Sequence, residues 1–319
     1  MIRLLLAAAC ALAWLGLAPP ADAAFPDRPV HIIVPFAPGG GVDVTSRLLA
    51  QRLGEELGQT VLVENHPGGG ANIGAAYVAQ AAPDGYTLLM ASPTITINAS
   101  LYQHLPYNLE TDFVPVALAQ ASELVLAVAA DSKFHSVQDI IAAAKAQPGQ
   151  LSYASAGVGS VEHLAGELFK QMAGIDVLHV PYKGTGPAIN DVMSGQVQFL
   201  FGGAASLLQL NRPGQLRALA VTSAKHPADL PDIPTMAEAG VKGYDVITWN
   251  GLMAPKGTPP EVVAKLNTAI NAAALQLTDK FKAIGGYPIA MSPQEFGAMV
   301  HGQVAMWAAL VKQANVHVD

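Results

Sequence analysis

Three glycine-rich segments hold the residues best able to do chemistry in this sequence, and the chemistry they suit is the capture of an anion. The first, Phe36-Ala37-Pro38-Gly39-Gly40-Gly41-Val42-Asp43, joins an apolar run to an amphipathic one. Glycine takes positive φ and lets a ligand approach the backbone closely. Asp43 stands where a carboxylate can accept N–H bonds as a helix N-cap. The free N–H groups of a first helical turn, together with the helix dipole, favour an anion. Taken alone, this segment reads equally well as a tight turn with a good cap. The pattern recurs, however, in "VLVENHPGGGANIGAAYVAQ", with Asn72 near the helix start. It recurs again in "SYASAGVGSVEHLAGELFKQM", with Ser155, Gly157 and the N-cap candidate Ser160.

Other polar side chains fall in loops of the same kind. Ser92, Thr94, Thr96 and Asn98 in "ASPTITINASLY" follow an apolar strand and offer hydroxyl and amide partners, or ordinary loop capping. Lys183 in "VPYKGTG" could meet an anion directly or simply stand exposed, and Trp249 in "ITWNG" could line a cleft or pack a hinge.

Bond-breaking constellations are weaker. There is no G-x-S-x-G elbow and no Walker loop. Gly68-Gly69-Gly70 with Gly74 faintly resembles a dinucleotide fingerprint, at the wrong spacing. None of the nine histidines is paired with another at i, i+4. His163 and Glu167 have helical spacing and could form half a metal site, a surface pair being the plainer reading. Ser160 and His163 share a helix start without an evident acid partner. The expectation is a binder with no catalytic residue, metal or cofactor. A secreted α/β hydrolase and a ligand sensor feeding a signalling partner stand as alternatives, and a structural or adhesive module is disfavoured by the absence of repeats.

The elements that must position these residues alternate. Strands are expected at 31–36, 61–64 and 86–91, with helices at 44–57 and 73–82. A second series follows, with strands at 124–129, 151–155, 177–181, 197–201 and 216–221 and helices at 137–145, 161–172 and 187–193. The stretch 244–253 precedes a helix opened by Pro259-Pro260, and a last helix covers 293–313. Strands alternating with helices make a parallel sheet the expected core. Two βα series joined by extended crossings suggest two α/β lobes with a cleft between them. Open sheets of this kind bind ligands beyond the carboxyl ends of their strands, where the glycine loops must lie.

Arg3, the apolar run 4–17 and Ala21-Asp22-Ala23 read as a secretory signal peptide cleaved near Ala23, which places the protein in the periplasm. The run is shorter than the roughly 20 residues that span a bilayer. Cys10 raises the question of lipidation, but "AAAC" lacks the usual leucine. Cys10 is also the only cysteine, so the mature chain has neither a disulfide framework nor a thiolate nucleophile. The net charge of −7 argues against a nucleic-acid partner.

At these residues the chain resembles a known family. "FPDRPVHIIVPFAPGGGVDVTSRLLAQRLGEELGQTVLVENHPGGGANIGAAYVAQAAPDGYTLLMASP" is similar to the opening of Bug-type, or TctC-type, substrate-binding proteins, the periplasmic receptors of tripartite tricarboxylate transporters. "LPYNLETDFVPVAL", "HVPYKGTGPAINDVMSGQVQFLF", "LRALAVTSAKHPADLPDIPTMAEAG" and "GLMAPKGTPPEVVAKLN" extend the resemblance over essentially the whole mature chain.

The resemblance implies an α/β, two-lobed periplasmic-binding-protein fold of type II, with two interlobe crossovers and a central ligand cleft. Lobe 1 would comprise 24–124 and 247–319, and lobe 2 would comprise 125–246. The cleft would close on a small carboxylate, held by the loops Phe36–Asp43 (with Gly39, Gly40 and Gly41), Gly70–Asn72, Ser92–Asn98 and Ser155–Ser160 and by the segment after Phe201. Many relatives carry an aspartate where this chain has Gly202, which disfavours a ligand whose ammonium needs that carboxylate. The closed form, a monomer hinged near 122–126 and 245–250, would dock on membrane transporter subunits.

Overall fold

The computed structural model describes residues 25–182, 184–211, 214–226, 232–314 and 316. The expected signal peptide, Cys10 and Lys183 lie outside these residues.

Val30–Val34 (β1), rich in valine and isoleucine and with every residue but His31 buried, is the middle strand of the parallel block of the first sheet. It pairs in parallel with Val61–Asn65 (β2) on one side and Thr87–Ala91 (β3) on the other. Two antiparallel strands extend this sheet beyond β3: Ile247–Pro255 (β9) against β3, and Phe113–Ala129 (β4) against β9.

β4 is 17 residues long, and only its last six residues, 124–129, were expected. Nearly all of "FVPVALAQASELVLAVA" is buried on both faces, so it lacks the alternation that marks a half-exposed strand. It serves two sheets in turn. Up to Glu123, opposite Ile247, it pairs with β9. From Leu124 onward it pairs with Phe199–Gly203 (β7), and from Val125 with Leu216–Val221 (β8). Ser152–Ser155 (β5) joins β7 in parallel and Leu178–Pro181 (β6) joins β5. The expected parallel pairing is present as two short blocks, β2-β1-β3 and β6-β5-β7, and antiparallel β4, β8 and β9 finish the sheets.

Helices cover both sheets. Gly41–Leu57 (α1) sets Leu49, Leu53 and Leu57 against Val30, Ile32 and Val34, together with Leu266 and Ile270 of Pro260–Gln276 (α8). Asn72–Ala79 (α2) and Pro93–Leu101 (α3) follow β2 and β3. In the second half, Val137–Ala146 (α4) and Val161–Ala173 (α5) pack on Tyr153, Phe199 and Phe201. Thr185–Met193 (α6) and Ala204–Asn211 (α7) cover the opposite face around Leu200. The short Thr278–Ala283 (α9) adds Phe281 to the α1–α8 core.

Pro293–Ala314 (α10) spans the two halves. Phe296 and Val300 pack with Trp249 and Met253, whereas Trp307, Leu310 and Val311 pack with Leu126, Phe201 and Tyr244. α3 is shared in the same way, with Ile95 in the first group and Ile97 and Leu101 in the second. No helix among the described residues is long and apolar enough to cross a membrane.

Candidate functional site

The first glycine loop is built around Asp43, in a role other than the expected N-cap. α1 begins at Gly41, three residues earlier than its apolar stripe suggests, and its N-cap is Gly40. Asp43 lies in the first turn. Its Oδ2 accepts the N–H of Gly39 (2.9 Å) and the Nε–H of Arg47 (3.0 Å), and its Oδ1 accepts from Asn65 Nδ2 (2.8 Å). The Arg47 guanidinium, helped by the Gly39 and Asn65 donors, lowers the carboxyl to about 2. Asn65 also donates to the Phe36 carbonyl (3.0 Å), while the half-buried Phe36 ring packs beside the α1–β1 core. The Gly39 amide is thus satisfied by the chain itself. The amides of Gly41, Val42 and Asp43 have no carbonyl one turn back, because the first intrahelical bond runs from Val44 to Gly40. A Cβ built on Gly41 meets nothing within 4 Å, so this end of α1 is open to an incoming anion.

The second loop is a left-handed turn. Gly68, Gly69, Gly70 and Ala71 all have positive φ, which for alanine is uncommon. Asn72 begins α2 as expected, but its side chain is turned inward. Its Oδ1 accepts from Asn98 Nδ2 (2.9 Å) and from the Tyr107 hydroxyl (2.8 Å), and Asn98 also donates to the Gly70 carbonyl (2.6 Å). Both asparagines are buried and serve to hold this loop.

The segment expected as the loop Ser92–Asn98 is the helix α3, with Pro93 at its first position. Proline presets the helical φ where no N–H is needed, and the β-branched residues that argue against a helix are outweighed by burial of Ile95 and Ile97. Ser92 is the N-cap without a side-chain cap bond. Its hydroxyl and that of Thr94 have no partner among the described residues. Thr96 is different: fully buried, it donates to the Pro93 carbonyl (2.7 Å) and faces Gln303 of α10.

In the second half, Ser160 caps α5 as expected, accepting the His163 N–H (3.2 Å). The neighbouring amides expected to hold a ligand are already engaged. Gly157 donates to Ser155 Oγ (3.1 Å), Gly159 to His163 Nδ1 (3.1 Å) and Ser160 to the Gly157 carbonyl (3.2 Å). Of the first-turn amides of α5, that of Val161 remains. Glu162 was not among the expected site residues; the Ser160 hydroxyl and its own N–H draw its carboxyl down. Burial nonetheless pushes this carboxyl up. The local signal for Glu162 is an acid two residues after a capping serine and a glycine loop.

Beneath this loop, His163 and His179 stack at 3.8 Å with 12° between their planes. Burial lowers both imidazoles, His163 to about 4 and His179 to about 3, the second also under the influence of its neighbour. Ser155 Oγ meets His179 Nε2 at 2.7 Å, a nucleophile–base distance. Ser155 is only 1% exposed, however, and its hydroxyl also supports the Gly157 amide and carbonyl. That geometry anchors a loop. His163 and Glu167 are likewise buried, in place of the expected surface pair, and Glu167 binds Tyr153 (2.8 Å) and Lys170 (2.9 Å).

Two expected site residues are committed to packing. Trp249 is 1% exposed, meets Phe296 edge-to-face and donates through Nε1 to Gln303 Oε1 (2.8 Å). A Cβ on Gly202 would lie 3.1 Å from Leu207 and 3.4 Å from Thr185, so the place of an aspartate is filled by neighbouring side chains. The two groups of loops meet where a Cβ on Gly159 would lie 2.6 Å from Leu101 of α3.

Comparison with known proteins fits this architecture. Residues 45–316 match the family model of the tripartite tricarboxylate transporter family receptor. Protein BugT of Bordetella pertussis is 37% identical, over 99% of this chain and 98% of its own length. The structure of R. palustris Rpa4515 with adipate has a TM-score of 0.80 and 38% identity, covering 92% of this chain and 99% of that one. MatC from Rhodopseudomonas palustris with bound malate has a TM-score of 0.75 and 32% identity, covering 90% of this chain and all of that one. With its two sheets sharing one long strand, its glycine loops at the carboxyl ends of the parallel strands and these likenesses, the chain belongs to the Bug/TctC family of tripartite tricarboxylate transporter receptors and has their two-lobed periplasmic-binding-protein fold.

Proposed function

We propose that this protein is an extracytoplasmic solute receptor that binds a small carboxylate between its lobes and delivers it to the membrane subunits of a tripartite tricarboxylate-type uptake system. The observation that carries this reading is the open first turn of α1. There three N–H groups lack intrahelical partners, and the nearest carboxylate, Asp43, is already neutralised by Arg47, Asn65 and Gly39. Such a terminus holds an anion through charge-assisted bonds despite the overall charge of −7, because distant surface charges are screened over about 8 Å. The free hydroxyls of Ser92 and Thr94 offer further donors. That relatives of known structure hold adipate and malate supports a carboxylate as the ligand class.

In this reading the protein is exported to the periplasm after cleavage near Ala23, acts as a monomer without a cofactor and breaks no bond. The lobes, 24–124 with 247–319 and 125–246, close about 122–126 and 245–250, next to the point where β4 exchanges β9 for β7 and β8. Calorimetric titration with mono-, di- and tricarboxylates and aromatic acids tests it. At least one acid should bind with 1:1 stoichiometry and raise the melting temperature, and a panel that neither binds nor stabilises would overturn the assignment.

A further inference from the structure

We propose that the cavity between α10 and the crossing at 245–247 is a second ligand site. It takes a small uncharged molecule with an apolar body and a carbonyl oxygen, and filling it bears on the closing of the lobes. Only that last point rests on the receptor reading above.

The cavity holds about 350 Å³, at the lower end of the range for small-molecule pockets. Val246 and Ile247 line it from the crossing, and Met299, Gln303, Met306 and Trp307 line it from α10. No residue of the glycine loops or of α3 takes part, so it is separate from the site already described.

Two hydrogen-bond donors on this lining lack an acceptor. Trp307 is 1% exposed, and its Nε1–H is buried without a partner among the described residues. Gln303 turns its Oε1 to the indole N–H of Trp249 (2.8 Å). An indole donates and never accepts, which fixes the orientation of this carboxamide. Its NH2 group is then left without an acceptor among the described residues. Folded proteins seldom leave buried donors unpaired, and an acceptor oxygen in the cavity supplies what both groups lack. The thioether side chains of Met299 and Met306 are the part of the lining that can move aside for a ligand. The one charged residue of the lining is Asp245, whose Oδ1 accepts the Ala224 N–H (3.0 Å). Its carboxylate repels an anion, and the two donors disfavour an ammonium, so the complementary molecule is uncharged.

Gly302 agrees with this reading. It stands inside α10, where glycine is among the least favourable residues. No backbone need accounts for it: its φ is not positive, and a Cβ there would meet nothing within 4 Å. Gly302 does line the cavity, and its missing side chain leaves room there.

The walls belong to both cores. Ile247 and Met299 pack with the group around Phe296, whereas Val246, Met306 and Trp307 pack with the group around Tyr244. Closing of the lobes about 245–250 therefore reshapes the cavity. Its occupant and a carboxylate in the cleft then change each other's affinity by the same factor.

The test uses three probes of nearly equal size: acetophenone, isopropylbenzene, which lacks the carbonyl, and benzoate, which is charged. Each is titrated into the purified protein while NMR follows the indole N–H signal of Trp307, identified by its loss in Trp307→Phe. Acetophenone should move that signal downfield and saturate, as a new hydrogen bond does, and isopropylbenzene should give no downfield shift. Benzoate should bind at least about tenfold more weakly than acetophenone. Gly302→Leu fills the cavity and should weaken acetophenone at least about tenfold, whereas Gly302→Ala should bind it as the wild type does. The site would be overturned by a signal that acetophenone leaves in place, by an equal downfield shift with isopropylbenzene, or by unchanged binding in Gly302→Leu. Benzoate binding as tightly as acetophenone would overturn the preference for an uncharged ligand. The wild-type comparison decides the matter even if Gly302→Leu fails to fold. For any carboxylate that binds the cleft, saturating acetophenone should change its calorimetric affinity at least about fivefold, and an unchanged affinity would overturn the linkage. If no carboxylate binds, the receptor reading falls, and the NMR titration still decides the cavity.

Discussion

The N–H of Gly39 donates to the Oδ2 of Asp43 across 2.9 Å, so the carboxylate that seemed placed to start the helix instead fastens the loop in front of it. Arg47 and Asn65 complete its shell and lower it to about 2. An acid whose folded value lies below its unfolded one near 3.8 stabilises above the unfolded value and loses that contribution as pH falls through the folded one. Asp43 should therefore contribute fully above about pH 4 and fade toward pH 2. Because Arg47 is half-exposed, Asp43→Asn should cost only about 1–2 kcal/mol at neutral pH. Urea unfolding of both proteins at pH 7 and pH 2.5 should show the gap closing in acid.

Gly40→Val separates binding from folding. Gly40 has φ −77° and ψ 167°, extended backbone open to any residue, and its Cβ would find only the Ala37 carbonyl, 3.8 Å away. The cost to the fold should be about 1 kcal/mol or less, that of a poorer N-cap. The added side chain occupies the approach to the α1 amides, so affinity for any carboxylate that binds the wild type should fall at least about tenfold. Unchanged affinity in the calorimeter would remove α1 from the site.

His163 predicts a second pH window, well above that of Asp43. Burial holds its imidazole near 4, against about 6.5 in an unfolded chain. Between these values the unfolded state takes up a proton that the folded state refuses, so stability is full above pH 6.5 and declines as pH falls toward 4. His179 acts in the same direction. In His163→Leu the melting temperature should drop less between pH 7 and pH 5 than in the wild type. At pH 7 the variant should be less stable by about 1–3 kcal/mol, because the Gly159 N–H loses its acceptor.

Gln303→Leu tests the assignment of Trp249 to packing. The substitution leaves the indole N–H buried without its acceptor and should cost about 1–3 kcal/mol in denaturant unfolding. Ligand affinity should stay within a factor of about two, the range of a change remote from the contacts. A large loss of affinity with unchanged stability would return Trp249 to the cleft.

Local rules explain which parts of this protein could be read in advance. Leu216–Val221 appears in the sequence with its observed boundaries, and Ser160 caps α5 because a serine hydroxyl needs only the N–H three residues on, within one turn of chain. α3 and residues 113–123 of β4 escape the same reading. β4 is enclosed on both faces and shows no period of two, and α3 carries β-branched residues whose helix is held by Ile97 and Leu101 packing across to the other half. The site divides in the same way. The glycine loops announce an anion site, but which amides remain free depends on Asp43, Ser155 and His163, and on stacking between two histidines 16 residues apart on different elements.

By itself the sequence determined the alternation of strands and helices, the glycine loops that follow the strands and the family resemblance, because each is written in neighbouring residues. The tertiary structure alone decided that β4 belongs to two sheets and that Trp249 and Asn98 hold the scaffold. Those outcomes depend on what lies across space from each residue. Burial and hydrogen-bond competition are settled by packing, and no local pattern encodes them.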